Sequence, residues 1–248
     1  MFNKDSILEN IKTLFYALII AIIIRSLLIQ PFYIPSSSME PNLLVGDRLF
    51  VTKYSYGYSK HSFPFSPPII KNRLFYTKPD YGDLVVFKTP SDNRTDFIKR
   101  LIGLPGDEIQ FKEGNLLVNN EIVLKTKKQN RNDIRCAGNE IEVSEFVEEL
   151  DLKTSYTVVY KTSGSMINTD VYKVPKEHFF FLGDNRDCSS DSRFLSNVGY
   201  VHQNNLVGKA RLIFFSNDTK IGSVLKFWNW GKSLRTNRFF KIIKWTTI

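Results

Sequence analysis

Histidine, cysteine and tryptophan are scarce in this chain of 248 residues, which holds three His, two Cys and three Trp. His61, His178 and His202 stand far apart without metal-ligand spacing, which argues for structural or surface roles over a Ser-His-Asp triad or a metal centre. Cys136 and Cys188 are also widely separated and in no ligand spacing. They could pair in an oxidising compartment or stay free, so they do not fix the compartment. Acidic residues are in deficit, 25 against 34 Lys and Arg, for a net charge of +9. The deficit is local. From Lys209 onward nine basic residues meet Asp218 alone, so that tail carries +8 of the total. The aromatics interleaved there, Phe227, Trp228, Trp230, Phe239, Phe240 and Trp245, favour a lipid headgroup layer over nucleic acid, because amphipathic rings and cations both fit at such a layer. With 42% hydrophobic and 24% charged residues, wholesale disorder is excluded. The length suits one sizeable domain, or a core domain carrying a smaller one.

Long apolar runs are absent but for one. Thr13 to Ile34 carries a single charge, Arg25. About 20 apolar residues cross a bilayer as a helix, so residues 13–31 are expected to form an anchor with Arg25 snorkelling to one face. Pro31 and Pro35 are expected to stop the helix. A cleaved secretory signal is the rival reading. Against it, Leu27 to Ile34 continues the run past Arg25, and Pro31 to Pro41 is unusually patterned for a discarded segment. Lys4 and Lys12 are offset by Asp5 and Glu9, so charge alone leaves the orientation open.

Beyond the run the chain reads as short strands broken by turns. Strand candidates are 47–51, 83–87, 96–102, 108–111, 116–118, 156–161, 178–182 and 210–215. Asn119-Asn120 between Leu116-Leu117-Val118 and Glu121-Ile122-Val123 predicts a tight hairpin. The fold class is therefore mainly β, with an antiparallel core domain over 32–119 and 173–225. A smaller β-rich subdomain is inserted at 120–172, one transmembrane helix precedes the domain, and the basic aromatic tail, 226–248, contacts the membrane surface.

Three clusters carry possible chemistry. The first is Pro35-Ser36-Ser37-Ser38-Met39-Glu40-Pro41, which alone reads as a polar linker. The second is Phe97-Ile98-Lys99-Arg100-Leu101-Ile102-Gly103-Leu104-Pro105-Gly106-Asp107. On a strand Lys99 shares a face with Phe97 and Leu101. Apolar neighbours disfavour an ammonium, and a neutral lysine can take a proton from a serine hydroxyl. The third is Gly183-Asp184-Asn185-Arg186-Asp187-Cys188-Ser189-Ser190-Asp191-Ser192-Arg193. These motifs, in this order behind an N-terminal anchor and with Gly46 to Val51 and Tyr56-Gly57, resemble bacterial type I signal peptidases over roughly residues 10–215.

The resemblance implies a membrane-bound endopeptidase that removes signal peptides from exported preproteins, with no cofactor, no metal and no nucleic-acid partner. It implies Ser38 as nucleophile and Lys99 as general base. Ser36 and the Ser38 N–H would form the oxyanion hole. Ser189 would hydrogen-bond and orient Lys99, Asp191 and Arg193 would support that wall, and Asp184 and Arg186 would be structural. Phe32, Ile34, Pro35, Met39, Leu43, Phe97 and Ile98 would line a small apolar substrate pocket. The expected location is the bacterial inner membrane, single-pass, with residues 1–12 in the cytoplasm and the catalytic domain outside. Ser37 stands where glycine is common in the family, and Cys188 at a position that varies.

Two decoys are set aside. Ser163-Gly164-Ser165-Met166 repeats the first motif without its flanking proline or membrane-proximal place. Ser223 to Lys226 and Ser91-Asp92-Asn93 occur in the wrong order for penicillin-interacting enzymes, and no Lys-Thr-Gly follows.

Overall fold

A computed structural model describes residues 4–151, 154–222 and 227–243. The chain enters through helix α1, Lys4–Ile23, continued by one π-helical turn, Ile24–Leu28. The apolar stretch Ile7–Leu28 is 22 residues long, about 33 Å at the helical rise and enough to cross a bilayer. Its side chains, Leu14, Phe15, Tyr16 and Leu18 among them, face outward rather than into a core. Lipid is the environment that lets such a helix keep an apolar surface on all sides.

The helix starts and stops earlier than the sequence suggested. Ile29–Tyr33 is strand β1, with Pro31 inside it opposite Phe50. β1 is an edge strand, so the N–H that proline lacks costs no ladder bond. The anchor thus runs straight into the catalytic sheet, an arrangement suited to a retained anchor and not to a discarded signal.

The next strands are β2 (Asp47–Thr52), β3 (Leu84–Lys88), β4 (Asp96–Gly103), β5 (Glu108–Lys112), β6 (Asn115–Val118) and β7 (Glu121–Ile122). There follow β8 (Leu124–Cys136), β9 (Asn139–Asp151), β10 (Thr154–Lys161), β11 (Tyr172–Lys173) and β12 (His178–Leu182). The last are β13 (Val201–His202), β14 (Leu206–Ser216) and β15 (Lys241–Ile242). The main antiparallel sheet has the order β1-β2-β14-β3-β4-β12-β13, with β15 added to β14. β11-β5-β6-β7 and β10-β9-β8 form two smaller sheets. Asn119 and Asn120 both adopt positive φ in the β6–β7 hairpin, as a two-residue Asn-Asn turn requires.

Residues 120–172 contain the long β8–β9 hairpin and β10. β10 packs on both faces: Tyr156, Val158 and Tyr160 join Ile102, Ile109, Phe111, Phe180 and Leu182, while Val159 joins Ile134 and Val143 of the hairpin in a small cluster of their own. Arg186 is buried there, donating to Glu148 at 2.7 and 2.6 Å and to Tyr160 at 2.7 Å. An isolated buried guanidinium would be prohibitive, and the two-pronged partner makes its burial tolerable. Cys136 and Cys188, left open above, are joined by a disulfide that ties the end of β8 to the turn before Ser189.

Part of the positive charge from Lys209 onward is paired within the fold. Lys209 pairs with Asp83, Arg235 with Asp218 at 2.9 Å, and buried Arg238 donates to Asp47 at 3.0 Å. These cations are therefore spent inside the fold. Phe227, Trp228 and Phe240 remain exposed. The expectations for Lys226, Lys244 and Trp245 lie outside the described residues.

Candidate active site

The nucleophile candidate sits in the loop between β1 and β2. Fully buried Met39 pins that loop to Leu49, Val51 and Leu84. Hydrogen bonds between Ile34 and Asp47 (2.9 Å) and between Gly46 and Ile34 (3.0 Å) close its base. The Asn185 N–H donates to the Ser38 carbonyl at 3.1 Å, and its amide to the Ser37 and Arg135 carbonyls at 3.2 and 2.9 Å. The Arg135 N–H in turn donates to the Glu40 carboxylate at 2.8 Å. Residues 37–40 are thus held from two sides by backbone-directed bonds.

Lys99 lies at mid-strand in β4, opposite Val85 of β3. Its ammonium is 5.4 Å from the centre of the Phe97 ring and donates to the Ser38 hydroxyl. The residue is 4% exposed, and desolvation pushes its pKa down to about 8. Asp191 and Asp184 oppose that shift and Arg193 adds to it. The Ser36 hydroxyl is 3.3 Å from that of Ser38.

Behind the pair stands a wall of charge-assisted bonds. Arg193 grips Asp191 with two donors at 2.8 and 2.9 Å, and the other lone pairs of Asp191 take the Gly183 N–H at 3.0 Å. Arg100 grips Asp184 at 2.7 Å on both oxygens. A Cβ at Gly183 would overlap Ser189 and come within 2.6 Å of the Ser38 carbonyl oxygen, so only glycine fits.

A cavity of about 370 Å³ opens onto the pair. Phe32, Ile34, Pro35, Met39, Phe97 and Ile98 line it, as do Ser36, Ser38 and Lys99. Leu43 does not. The turn that carries Ser38 bonds Leu43 N to Met39 O and rolls Leu43 into the core beside Leu49, where it borders a separate cavity. Ser189 also departs from expectation. Its hydroxyl is buried without a hydrogen-bond partner among the described residues, and its side chain packs against Gly183. The Ser165 decoy is absorbed elsewhere, donating to Asp187 at 2.9 and 2.7 Å.

Sequence reasoning missed Asn185, Arg135 and Gly183 as positioning residues. Asn185 and Gly183 lie inside the third cluster, but Gly-Asp-Asn is also ordinary turn chemistry and does not by itself mark a positioning role. Arg135 acts through its backbone, which no residue pattern advertises. Among the described residues no group of three His, Cys, Asp or Glu could hold a metal ion.

The profile of the family described as "Signal peptidase, peptidase S26" matches residues 7–215. A relative from Rickettsia conorii named Signal peptidase I is 41% identical, covering 91% of this chain and 89% of its own. One of the same name from Rickettsia prowazekii is 40% identical over 96% and 97%. A solved signal peptidase I from Enterococcus faecalis V583 aligns with 54% of this chain and 97% of its own, at 23% identity and a TM-score of 0.32.

Proposed function

The chain belongs to the signal peptidases, peptidase family S26, membrane-anchored enzymes that cleave signal peptides from preproteins, and we propose that Ser38 is its nucleophile and Lys99 its general base. One observation carries the assignment: the buried Lys99 ammonium bonded to the Ser38 hydroxyl at the mouth of an apolar cavity. When Lys99 is neutral the bond reverses, and the Ser38 O–H donates to the nitrogen lone pair. Lys99 then takes that proton as Ser38 Oγ attacks the scissile carbonyl. The oxyanion receives the Ser36 hydroxyl and the Ser38 N–H, groups that need little rearrangement as charge develops. Lys99 passes its proton to the leaving amine, which frees the mature protein. It next deprotonates the water that hydrolyses the acyl-enzyme.

Phe32, Ile34, Pro35, Met39, Phe97 and Ile98 hold the small side chain that precedes the cleavage point. Asp191 and Arg193 fix the wall, and Ser189 offers a buried hydroxyl free to bond Lys99 or substrate once Ser38 has reacted. The catalytic domain faces the outer side of the bacterial cytoplasmic membrane with the N-terminus in the cytoplasm, a side on which the Cys136–Cys188 disulfide is stable. Exposed Phe227 and Trp228 touch the headgroup layer. Incubating the purified full chain with one preprotein tests the reading. Wild type should release a mature product with a new N-terminus by mass spectrometry and Ser38→Ala none; cleavage by Ser38→Ala would sink it.

A further inference from the structure

A small polar cavity of about 90 Å³ lies where the anchor gives way to the catalytic sheet. Arg25, Lys53, His61 and Lys88 line it, and it shares Phe32 and Asp96 with the cleft that holds Ser38. Three cations face one carboxylate, and that carboxylate is already paired with Lys88 at 2.9 Å. Lys53 is 2% exposed and donates one of its three N–H groups to the Ser62 carbonyl at 2.5 Å, which leaves two. His61 is 4% exposed; its Nδ1 meets the Ser66 hydroxyl at 2.9 Å, and its Nε2 has no partner. A buried cation and a buried unpartnered ring nitrogen on one small polar cavity are costly unless something completes them.

The position of the cavity says what that is. Arg25 belongs to the last turn of the membrane-spanning stretch, so it stands at the depth of the headgroups. The Tyr58 hydroxyl donates to the Leu27 carbonyl at 3.0 Å and ties the segment that bears His61 to the end of the helix. Phe65, also on the cavity wall, is fully exposed and adds an apolar rim next to the bilayer. Burial, with Arg25 as a like charge, pushes Lys53 down to about 8, so an anion in the cavity would relieve a standing penalty.

We infer that this cavity binds the phosphate of an anionic phospholipid headgroup, with Arg25 and Lys53 as its cationic ligands and His61 completing the wall. The bound lipid fixes the height of the substrate cleft above the membrane, because Phe32 and Asp96 belong to both cavities. The inference rests on the helix being a membrane anchor and is independent of the Ser38–Lys99 assignment.

The test uses the full chain in bilayer nanodiscs of phosphatidylcholine with a minor share of phosphatidylglycerol, followed by native mass spectrometry as lipid is stripped. Wild type should keep one phosphatidylglycerol in preference to phosphatidylcholine. Arg25→Gln, an exposed position that leaves the fold intact, should keep it about fivefold less well, the effect of losing one cation near an anionic lipid. Lys53→Met should do the same, and exposed Lys112→Gln should have no effect. Equal retention of the two lipids, or the same loss in Lys112→Gln as in Arg25→Gln, would overturn the inference. Release of the lipid by millimolar inorganic phosphate would make this a free-anion site and overturn the lipid assignment. Cleavage of a preprotein in detergent, measured in parallel, reads the Ser38–Lys99 pair alone, so the two failures are distinguishable.

Discussion

Lys99 in the cleft and Lys53 in the basic cavity are both buried lysines whose pKa desolvation lowers to about 8. They differ in what they hold. Lys99 bonds a hydroxyl at the edge of a cavity large enough for a peptide side chain, whereas Lys53 bonds a backbone carbonyl, which has no proton to give. Their electrostatic surroundings differ as well. Asp191 and Asp184 pull Lys99 upward against Arg193, while Arg25 and Lys88 push Lys53 further down against Asp96 alone. The comparison teaches that a depressed lysine pKa is not by itself a sign of a general base. A hydroxyl in contact and room for substrate make the difference, and a lysine without them asks for an anion instead.

The largest way to break the comparison is to remove each partner. Ser38→Ala, Lys99→Ala and Lys99→Arg should each lose cleavage by about 10⁴-fold or more in a preprotein assay, the arginine because it stays protonated. Lys53→Met, assayed in detergent, should still cleave. Next in size, Gly183→Ala should cost on the order of 100-fold, since the added methyl must displace Ser189 or the Ser38 carbonyl and misplacement of about 1 Å carries that penalty. Reducing the disulfide sharpens the contrast, because the staple sits on the Lys99 side of the molecule. It closes a loop spanning 52 residues, worth about 4 kcal/mol on chain entropy. A dithiol should lower the melting temperature of wild type and leave that of Cys136→Ser/Cys188→Ser unchanged.

The smallest effect is on stability against pH. The folded-state pKa of Lys99, about 8, lies below its usual 10.5. Between these values the unfolded chain binds more protons, so stability rises with pH across that window, and the full penalty applies below about 8. Lys99→Met should therefore stabilise the protein at pH 7 by about 2 kcal/mol, allowing for the lost hydrogen bond. Denaturant melts at pH 7 and pH 10 check this: the gain should be smaller at the higher pH.

Much of the strand pattern was legible because short apolar and aromatic runs, such as Phe179-Phe180-Phe181 in β12, are bounded by turn residues such as Gly183-Asp184-Asn185. Ser38 and Lys99, the proposed nucleophile and base, and six of the seven residues named for the pocket came from the ordered motifs and the family resemblance, and the fold brings these side chains to one cavity from β1, its following loop and β4. Three things were not legible, each for a physical reason. The boundary between helix and β1 was hidden because Ile29 to Tyr33 is as apolar as the helix, and only pairing with β2 makes it a strand. That Leu43 lies outside the cavity was not legible because its direction depends on the turn at Met39. The partners of Arg235 and Arg238 lie far off in sequence, so a tail that reads as free positive charge is partly neutralised by Asp218 and Asp47.

The pH dependence of kcat/KM for preprotein cleavage, compared between wild type and Lys53→Met, tests the central claim most directly. If Lys99 must be neutral, the rate rises with pH through about 8, near the lowered pKa of that lysine, and falls about tenfold per unit below it, with the same midpoint in both proteins. A rate unchanged down to pH 6, or a midpoint that moves when Lys53 is replaced, would contradict Lys99 as the base.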